Sequence, residues 1–342
     1  MRGLGRSLVV CLATLLSACV GAQDYASGSA NGAFAMQTSL NAIPATKTAL
    51  IPFDVTPFPY SGMIPDTGKP FLDVVEGDRR GHSSPRGGVV WEDQAYHYHR
   101  VLLSIPAGFD LNRPAVIVVY FHGNNATLER DVVTRQQVPR QLADSGLNAV
   151  LIAPQFALDA RDSSAGRFWE PNVFGRFIDE AASRLGTLYG SERAAEVLRQ
   201  APVLLVSYSG GYLPTAYSLK YWGDSSRLRG VVLLDSTYGE QDKFADWIVS
   251  RRDAFFFSAY SKSTSDGNQA LEQQLAQRGV GFATAIPATL AGGSVVFLAA
   301  PDGIEHNDFV TRAWAADPLA AVLSRVPGFL RPGAGRARLK KS

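Results

Sequence analysis

Five apolar residues, Pro202-Val203-Leu204-Leu205-Val206, run directly into Ser207-Tyr208-Ser209-Gly210-Gly211, and residues 212–219 follow with helical character. No other stretch restricts the fold as much. An uninterrupted apolar run of this length reads as a strand buried on both faces, and such strands belong to parallel sheets covered by helices. The turn that follows carries small residues two positions to either side of a serine. A serine held in a strained strand-to-helix turn would collide with bulky neighbours there, so Ser207 and Gly211 suit it, with Ser in place of the first glycine of the G-x-S-x-G pattern. An elbow of this kind lifts the Ser209 hydroxyl above the sheet, with the positive end of the next helix beneath it.

The same continuous apolar pattern recurs at residues 116–121, 149–153, 231–234, 254–257 and 295–298. Residues 132–145, 174–189 and 269–278 between them read as helices. Residues 71–75 and 96–105 read as antiparallel strands ahead of the parallel core, the second alternating like a sheet with one wet face. This alternation predicts an α/β fold: a mainly parallel central sheet with helices on both faces. The longest insertion, residues 155–201, precedes the elbow strand and leaves no room for a large cap domain.

The N-terminus reads as a targeting segment rather than as part of the fold. Arg2 and Arg6 precede an apolar core at residues 8–16, which is too short to span a bilayer. Leu16-Ser17-Ala18-Cys19 then resembles the lipobox of bacterial lipoproteins, which implies a signal peptide over 1–18 and lipidation of Cys19. The other cysteine, Cys11, would leave with the signal, so the mature domain would hold neither a free thiol nor a disulfide. Residues 19–52 read as a flexible tether, the proline-punctuated stretch after it as a surface wrap, and 53–330 as the globular domain. Residues 331–342 read as a solvated basic tail. The implied location is the bacterial cell envelope, lipid-anchored. Val20 after the cysteine, in place of the aspartate of many inner-membrane lipoproteins, suggests the outer membrane.

A hydroxyl needs a base before it becomes a nucleophile. The chain has five histidines. His82 falls in a polar loop, and His97 and His99 on an early strand. His122 and His306 each follow a strand, where catalytic groups of open α/β sheets gather. Here the chain resembles the α/β-hydrolase superfamily, over most of the stretch from Phe71 to about Leu330. In that family the order is nucleophile, acid, then histidine after the last strand, which points to His306. The pair His122-Gly123 resembles the family's oxyanion loop. That implies a structural His122 and backbone N–H groups of Asn124 and Gly210 that hold the developing oxyanion, each worth about 3 kcal/mol of barrier. Two acids compete. Asp266 lies in the more usual family location after the next strand, but it also stands where a helix N-cap would. Asp235 ends its own strand and is the assigned acid; the chain is also similar to a group of bacterial hydrolase-fold proteins with an aspartate at that strand end.

A formal net charge of +2 argues against coating nucleic-acid phosphates. No metal-binding spacing, phosphate-loop lysine or dinucleotide fingerprint is present, so no cofactor and no metal are expected. Tyr208, Tyr212, Tyr238, Phe168, Trp169 and Glu170 are candidates to line a pocket, but aromatics in such number are more often packing than recognition, so none is assigned. The expected function is a lipid-anchored serine hydrolase that cleaves an ester or amide of a small or envelope-derived molecule through Ser209, Asp235 and His306 and an acyl-enzyme. A non-catalytic binding module of the same fold and an acyltransferase are the alternatives.

Overall fold

A computed structural model describes residues 43–335. Cys19, the expected signal peptide, most of the tether and the last seven residues of the basic tail lie outside the described residues.

Eight strands form the central sheet: β1 (Lys47–Pro52), β7 (Arg100–Ile105), β9 (Ala149–Pro154), β8 (Val116–Phe121), β10 (Val203–Tyr208), β11 (Leu228–Leu234), β12 (Phe255–Tyr260) and β13 (Val295–Ala299), in that spatial order. Every pairing from β9 to β13 is parallel, while β7 runs antiparallel to both β1 and β9. This is the arrangement of an α/β-hydrolase fold. Alternation along the buried strands divides the core in two. Ile117, Val119 and Phe121 of β8 face one apolar cluster, and Val116, Val118 and Tyr120 face the other. Helices Val173–Tyr189, Tyr212–Trp222, Gln241–Ser250 and Ser265–Gln277 bury residues in the first cluster. Val138–Asp144 and Pro318–Leu323 bury theirs in the second.

Several expectations about local structure are corrected. The last residues of the expected tether, Lys47–Pro52, are the edge strand β1, paired from Lys47↔Ile105 to Pro52↔Arg100. The proline-rich stretch does not merely wrap the surface. Phe53, Phe58, Tyr60 and Phe71 are buried, with Phe58 4.8 Å from Tyr96 and 5.8 Å from Phe71, ring centre to ring centre. Residues 71–75 do not enter the central sheet. Val74–Glu76 (β4) pairs with Arg79–Ser83 (β5), which pairs with Val89–Trp91 (β6), in a separate three-stranded sheet; Met63–Ile64 (β2) and Lys69–Pro70 (β3) make a small ladder before it. His82 lies on β5, not in a polar loop. It is buried, with Nδ1–H donating to Phe71 O at 2.8 Å. His97 and His99 sit in an exposed loop before β7, because strand pairing begins only at Arg100.

The helix expected at 132–145 is two pieces, a π-helical turn Leu128–Arg135 and helix Val138–Asp144. Gln137 between them is left-handed (φ 50°), and Pro139, which has no N–H to donate, stands in the first turn of the second piece. The start of the basic tail is anchored, since Arg331 donates to Ala107 O (2.6 Å) and its N–H to Gly146 O (2.8 Å).

The buried aromatic segment yields the first prediction. Phe58→Ala leaves a hole between Phe71 and Tyr96 and should cost about 3–5 kcal/mol of stability, read by urea unfolding. A surface wrap would lose less than about 0.5 kcal/mol.

Candidate active site

Ser209 stands one residue past β10 with φ 54°, a left-handed conformation that is rare for a side-chain-bearing residue. The packing around the turn explains how it is held. A Cβ on Gly211 would come within 2.5 Å of Phe121 O, and one on Gly123 within 2.7 Å of Ser209 Cβ. Ser207, at the position where the motif expects glycine, has a partner of its own. Ser236 Oγ donates to Ser209 O (2.7 Å), so its single proton is committed, and Ser207 Oγ donates to Ser236 Oγ (3.0 Å). The departure from glycine therefore ties the elbow to the loop after β11.

Three side chains from the carboxyl ends of different strands meet above the sheet. His306 Nε2 lies 2.8 Å from Ser209 Oγ, and His306 Nδ1 lies 2.6 Å from Asp235 Oδ2. A carboxylate only accepts, so Nδ1 carries the proton and Nε2 offers its lone pair to the Ser209 hydroxyl. Asp235 is fully buried and also has a positive φ, 48°. Its backbone N–H extends the ladder by one bond to Ala259 O (2.8 Å), and the loop after β12 then surrounds its side chain. Ser261 N–H (2.8 Å), Ser261 Oγ (2.9 Å), Ser263 Oγ (3.2 Å) and Thr264 Oγ1 all donate to it. Burial pushes the Asp235 carboxyl up, but the hydrogen bonds from His306, Ser261 N–H and Thr264 outweigh that and hold it below the ordinary carboxylate value.

His306 opens the short helical turn His306–Val310, which a reciprocal Glu305/Asp308 cap fixes. The Tyr208 ring lies against the imidazole, centres 4.8 Å apart and planes 25° apart. Tyr208 Oη and Arg135 Nη1 both donate to Asn307 Oδ1, at 3.0 and 2.9 Å, and pin the residue next to the imidazole.

His122 is brought near the site but not into it. It is buried, its Nδ1–H donates to Gly123 O (2.7 Å), and its Nε2 accepts from Phe156 N–H (2.9 Å) and from Gln155 Nε2 (3.0 Å). Burial pushes its pKa down to about 4, so it is neutral at physiological pH and fixes the Gly123 turn. The N–H of Asn125 goes to Ala160 O (2.8 Å), whereas among the described residues no backbone carbonyl takes the N–H of Asn124 or Gly210. Asn124 crosses over Gly210 so closely that a Cβ there would strike its amide and Ser163 Oγ.

Asp266 does not join this group. It is exposed in the first turn of helix Ser265–Gln277, whose N-cap position belongs to Thr264 rather than to it, and among the described residues its side chain meets Ser265 Oγ, at 3.4 Å. Phe168 is core, Tyr238 lies edge-on to His306 at 6.3 Å, and Tyr212 and Trp169 line a cleft beside the elbow. The hydroxyl cradle of Ser261, Ser263 and Thr264, the Asn307 clamp and Arg86 at the rim of that cleft were not legible as site residues. Among the described residues no group of three or more His, Cys, Asp or Glu could hold a metal ion, and no helix is long and apolar enough to cross a membrane.

No family model matches the chain, and no curated protein sequence matches it. Solved structures similar to it include the feruloyl esterase module from Clostridium thermocellum (14% identity, 84% of this chain and 99% of that one, TM-score 0.45). An S-formylglutathione hydrolase from Agrobacterium tumefaciens is another (11% identity, 69% and 92%, TM-score 0.40). A third is an IroE-like serine hydrolase from Shewanella oneidensis (14% identity, 62% and 71%, TM-score 0.39). The activities in these names belong to those proteins.

The carboxylate cradle predicts a pH-dependent stability. Thr264→Val keeps the side-chain shape and removes one donor, which should cost about 1–3 kcal/mol at neutral pH. A carboxyl with a lowered folded pKa stabilises above its unfolded value, about 3.9, and loses that contribution as pH falls through the folded value. The gap between wild type and Thr264→Val in urea unfolding should therefore shrink towards zero below that range. A gap that is constant with pH would mean the threonine acts by packing alone.

Proposed function

We propose that this chain is a serine hydrolase that cleaves an ester, or by the same chemistry an amide, through Ser209, His306 and Asp235. One observation carries the reading: an unbroken hydrogen-bonded line from Ser209 Oγ through both imidazole nitrogens to a buried carboxylate. The reaction follows from that line. Ser209 Oγ attacks the substrate carbonyl carbon while its proton passes to His306 Nε2. The carbonyl oxygen takes the negative charge and turns to the N–H groups of Asn124 and Gly210. Asp235 stabilises the imidazolium and keeps Nδ1 protonated. The tetrahedral intermediate collapses, and the leaving alcohol or amine departs with the proton from Nε2. A water then gives its proton to the same nitrogen, attacks the acyl-serine, and releases the acid and Ser209.

The reading extends to location. Leu16-Ser17-Ala18-Cys19 supports a lipid on Cys19 that anchors the domain in the bacterial envelope, with the outer membrane favoured by Val20. Mass spectrometry of the mature N-terminus tests it, the expected result being a diacylglyceryl-modified Cys19. Unmodified Cys19 or cleavage elsewhere rejects it.

Two experiments test the chemistry. Ser209→Ala should fold normally and lose all labelling by a fluorophosphonate probe together with all ester turnover; equal turnover in the two proteins would reject the Ser209 hydrolase reading, and a wild type with neither labelling nor turnover would point to a binding module. Asp235→Asn should lower kcat by about ten-thousand-fold, as loss of the same partner does in the protease triad. Asp266→Asn should stay close to wild type, and the reverse pattern would move the acid to Asp266.

A further inference from the structure

A cleft of ≈160 Å³ opens beside the elbow, with Ile64, Trp169, Tyr212 and Leu213 as its apolar walls and Ser163 and Arg86 at its polar end. A mainly apolar space of that size holds about one aromatic ring or a short carbon chain. Its polar end is unusual in charge. Asp162 borders the cleft, but its two oxygens accept from Tyr96 Oη (2.8 Å) and Ser164 Oγ (2.9 Å). Among the described residues the Arg86 guanidinium has no carboxylate partner.

Arg86 is nevertheless held in place. It sits in the tight hairpin between β5 and β6, closed by Ser84 N–H to Gly88 O (3.0 Å) and Gly87 N–H to Ser84 O (2.9 Å). Gly87 (φ 91°) and Gly88 (φ 82°) take the left-handed conformations that this turn requires. Ser84 Oγ donates to Arg161 O (2.7 Å), which ties the hairpin to the loop that carries Ser163. The guanidinium lies over the Tyr238 ring, 5.4 Å from its centre. The orientation of the Asn124 amide that satisfies both of its ends has its nitrogen donating to Asp162 O (2.8 Å) and Ser163 Oγ (3.0 Å), and its oxygen accepting from Arg86 Nε (3.0 Å). Arg86 thus touches the side chain of the residue whose N–H faces the developing oxyanion. Among the described residues one of its five donors is used, and the terminal fork remains for a ligand.

We propose that Arg86 binds a carboxylate of the substrate, so that the preferred esters are acidic ones. They would carry a short or single-ring apolar body in the cleft and an anionic group a few atoms from the scissile carbonyl. This rests on the hydrolase reading above. An arginine fork meets a carboxylate through two parallel hydrogen bonds, which lysine does not reproduce.

The test compares kcat/KM for two matched pairs, in wild type, Arg86→Gln and Arg86→Lys. One pair, 4-nitrophenyl hydrogen glutarate against 4-nitrophenyl butyrate, places the charge in the acyl group. The other, 4-acetoxybenzoate against phenyl acetate, places it in the leaving group. In one arm the acidic-to-neutral ratio should fall about 10- to 100-fold in Arg86→Gln, with Arg86→Lys between. A ratio unchanged in both arms overturns the proposal. Calorimetry of glutarate monoamide with Ser209→Ala, with and without Arg86→Gln, separates the two readings. Arg86-dependent binding without turnover in wild type keeps the recognition and removes the hydrolase. Turnover of neutral esters with no dependence on Arg86 in either measurement removes the recognition alone.

Discussion

A carboxylate taken out of water must have its hydration replaced by donors, and the site depends on one carboxylate for which this has been done. Asp235 is fully buried at the end of β11, and the segment that follows β12 supplies the donors. The parallel register sets this up. Leu234 pairs with Ala259, Asp235 N–H adds one bond to Ala259 O, and Ser261 arrives two residues later with both its N–H and its hydroxyl in reach. The charge so stabilised is what fixes His306, whose proton on Nδ1 leaves Nε2 free for Ser209. Removing a cradle donor therefore acts on the acid first and on the imidazole second.

Ser209, the proposed nucleophile, is constrained from the opposite side. Its left-handed backbone stores strain of order 1–3 kcal/mol, which only surrounding structure can maintain. Here the surroundings are Phe121 O beneath Gly211, the Gly123 turn against Ser209 Cβ, and the Ser207–Ser236 pair that ends on Ser209 O. His122, neutral and saturated with hydrogen bonds, serves the same end by holding Gly123 O and the backbone of Phe156. Among the non-glycine residues with positive φ, Ser209 and Asp235 each follow a strand directly. The sheet delivers both to one edge, and the loops hold what the sheet delivers.

What was legible in the residues follows from how local each signal is. The buried strands could be read because continuous apolar runs of five or six residues need no partner to be recognised, and the elbow because its small residues lie within one turn. β1 could not. Lys47-Thr48-Ala49-Leu50-Ile51-Pro52 is an edge strand with polar and apolar residues mixed, and its partner, β7, lies about fifty positions away. The buried aromatics of the proline-rich segment were hidden for the same reason, since Phe58 meets Tyr96 and Phe53 meets Phe177 only in the folded chain. At the site, Ser209 is marked by its elbow, His306 by being one of only five histidines, and Asp235 by ending a buried apolar run. The cradle of Ser261, Ser263 and Thr264 is made of common ones, and Arg86 looks like any exposed arginine until Tyr238 and Asn124 are placed beneath it. The Pro85-Arg86-Gly87-Gly88 run did carry a hairpin signal, and reading it as one would have put Arg86 at a loop tip.

The location of the acid has a physical consequence for the loop after β12. In the α/β-hydrolase resemblance that loop is the usual home of the acid, and here it holds hydroxyls. Two carboxylates directed at one imidazole would sit within a few ångströms of each other, and only one could ionise without a large penalty. With Asp235 already on β11, the neighbouring strand end must donate rather than accept, and serine and threonine are the residues that do so without adding charge. Asp266 is exposed in the first turn of the next helix, where a negative charge is favourable. Compared with the location that the resemblance implies, the proposed acid stands one strand nearer to Ser209, and the loop after β12 supplies the donors that keep it ionised.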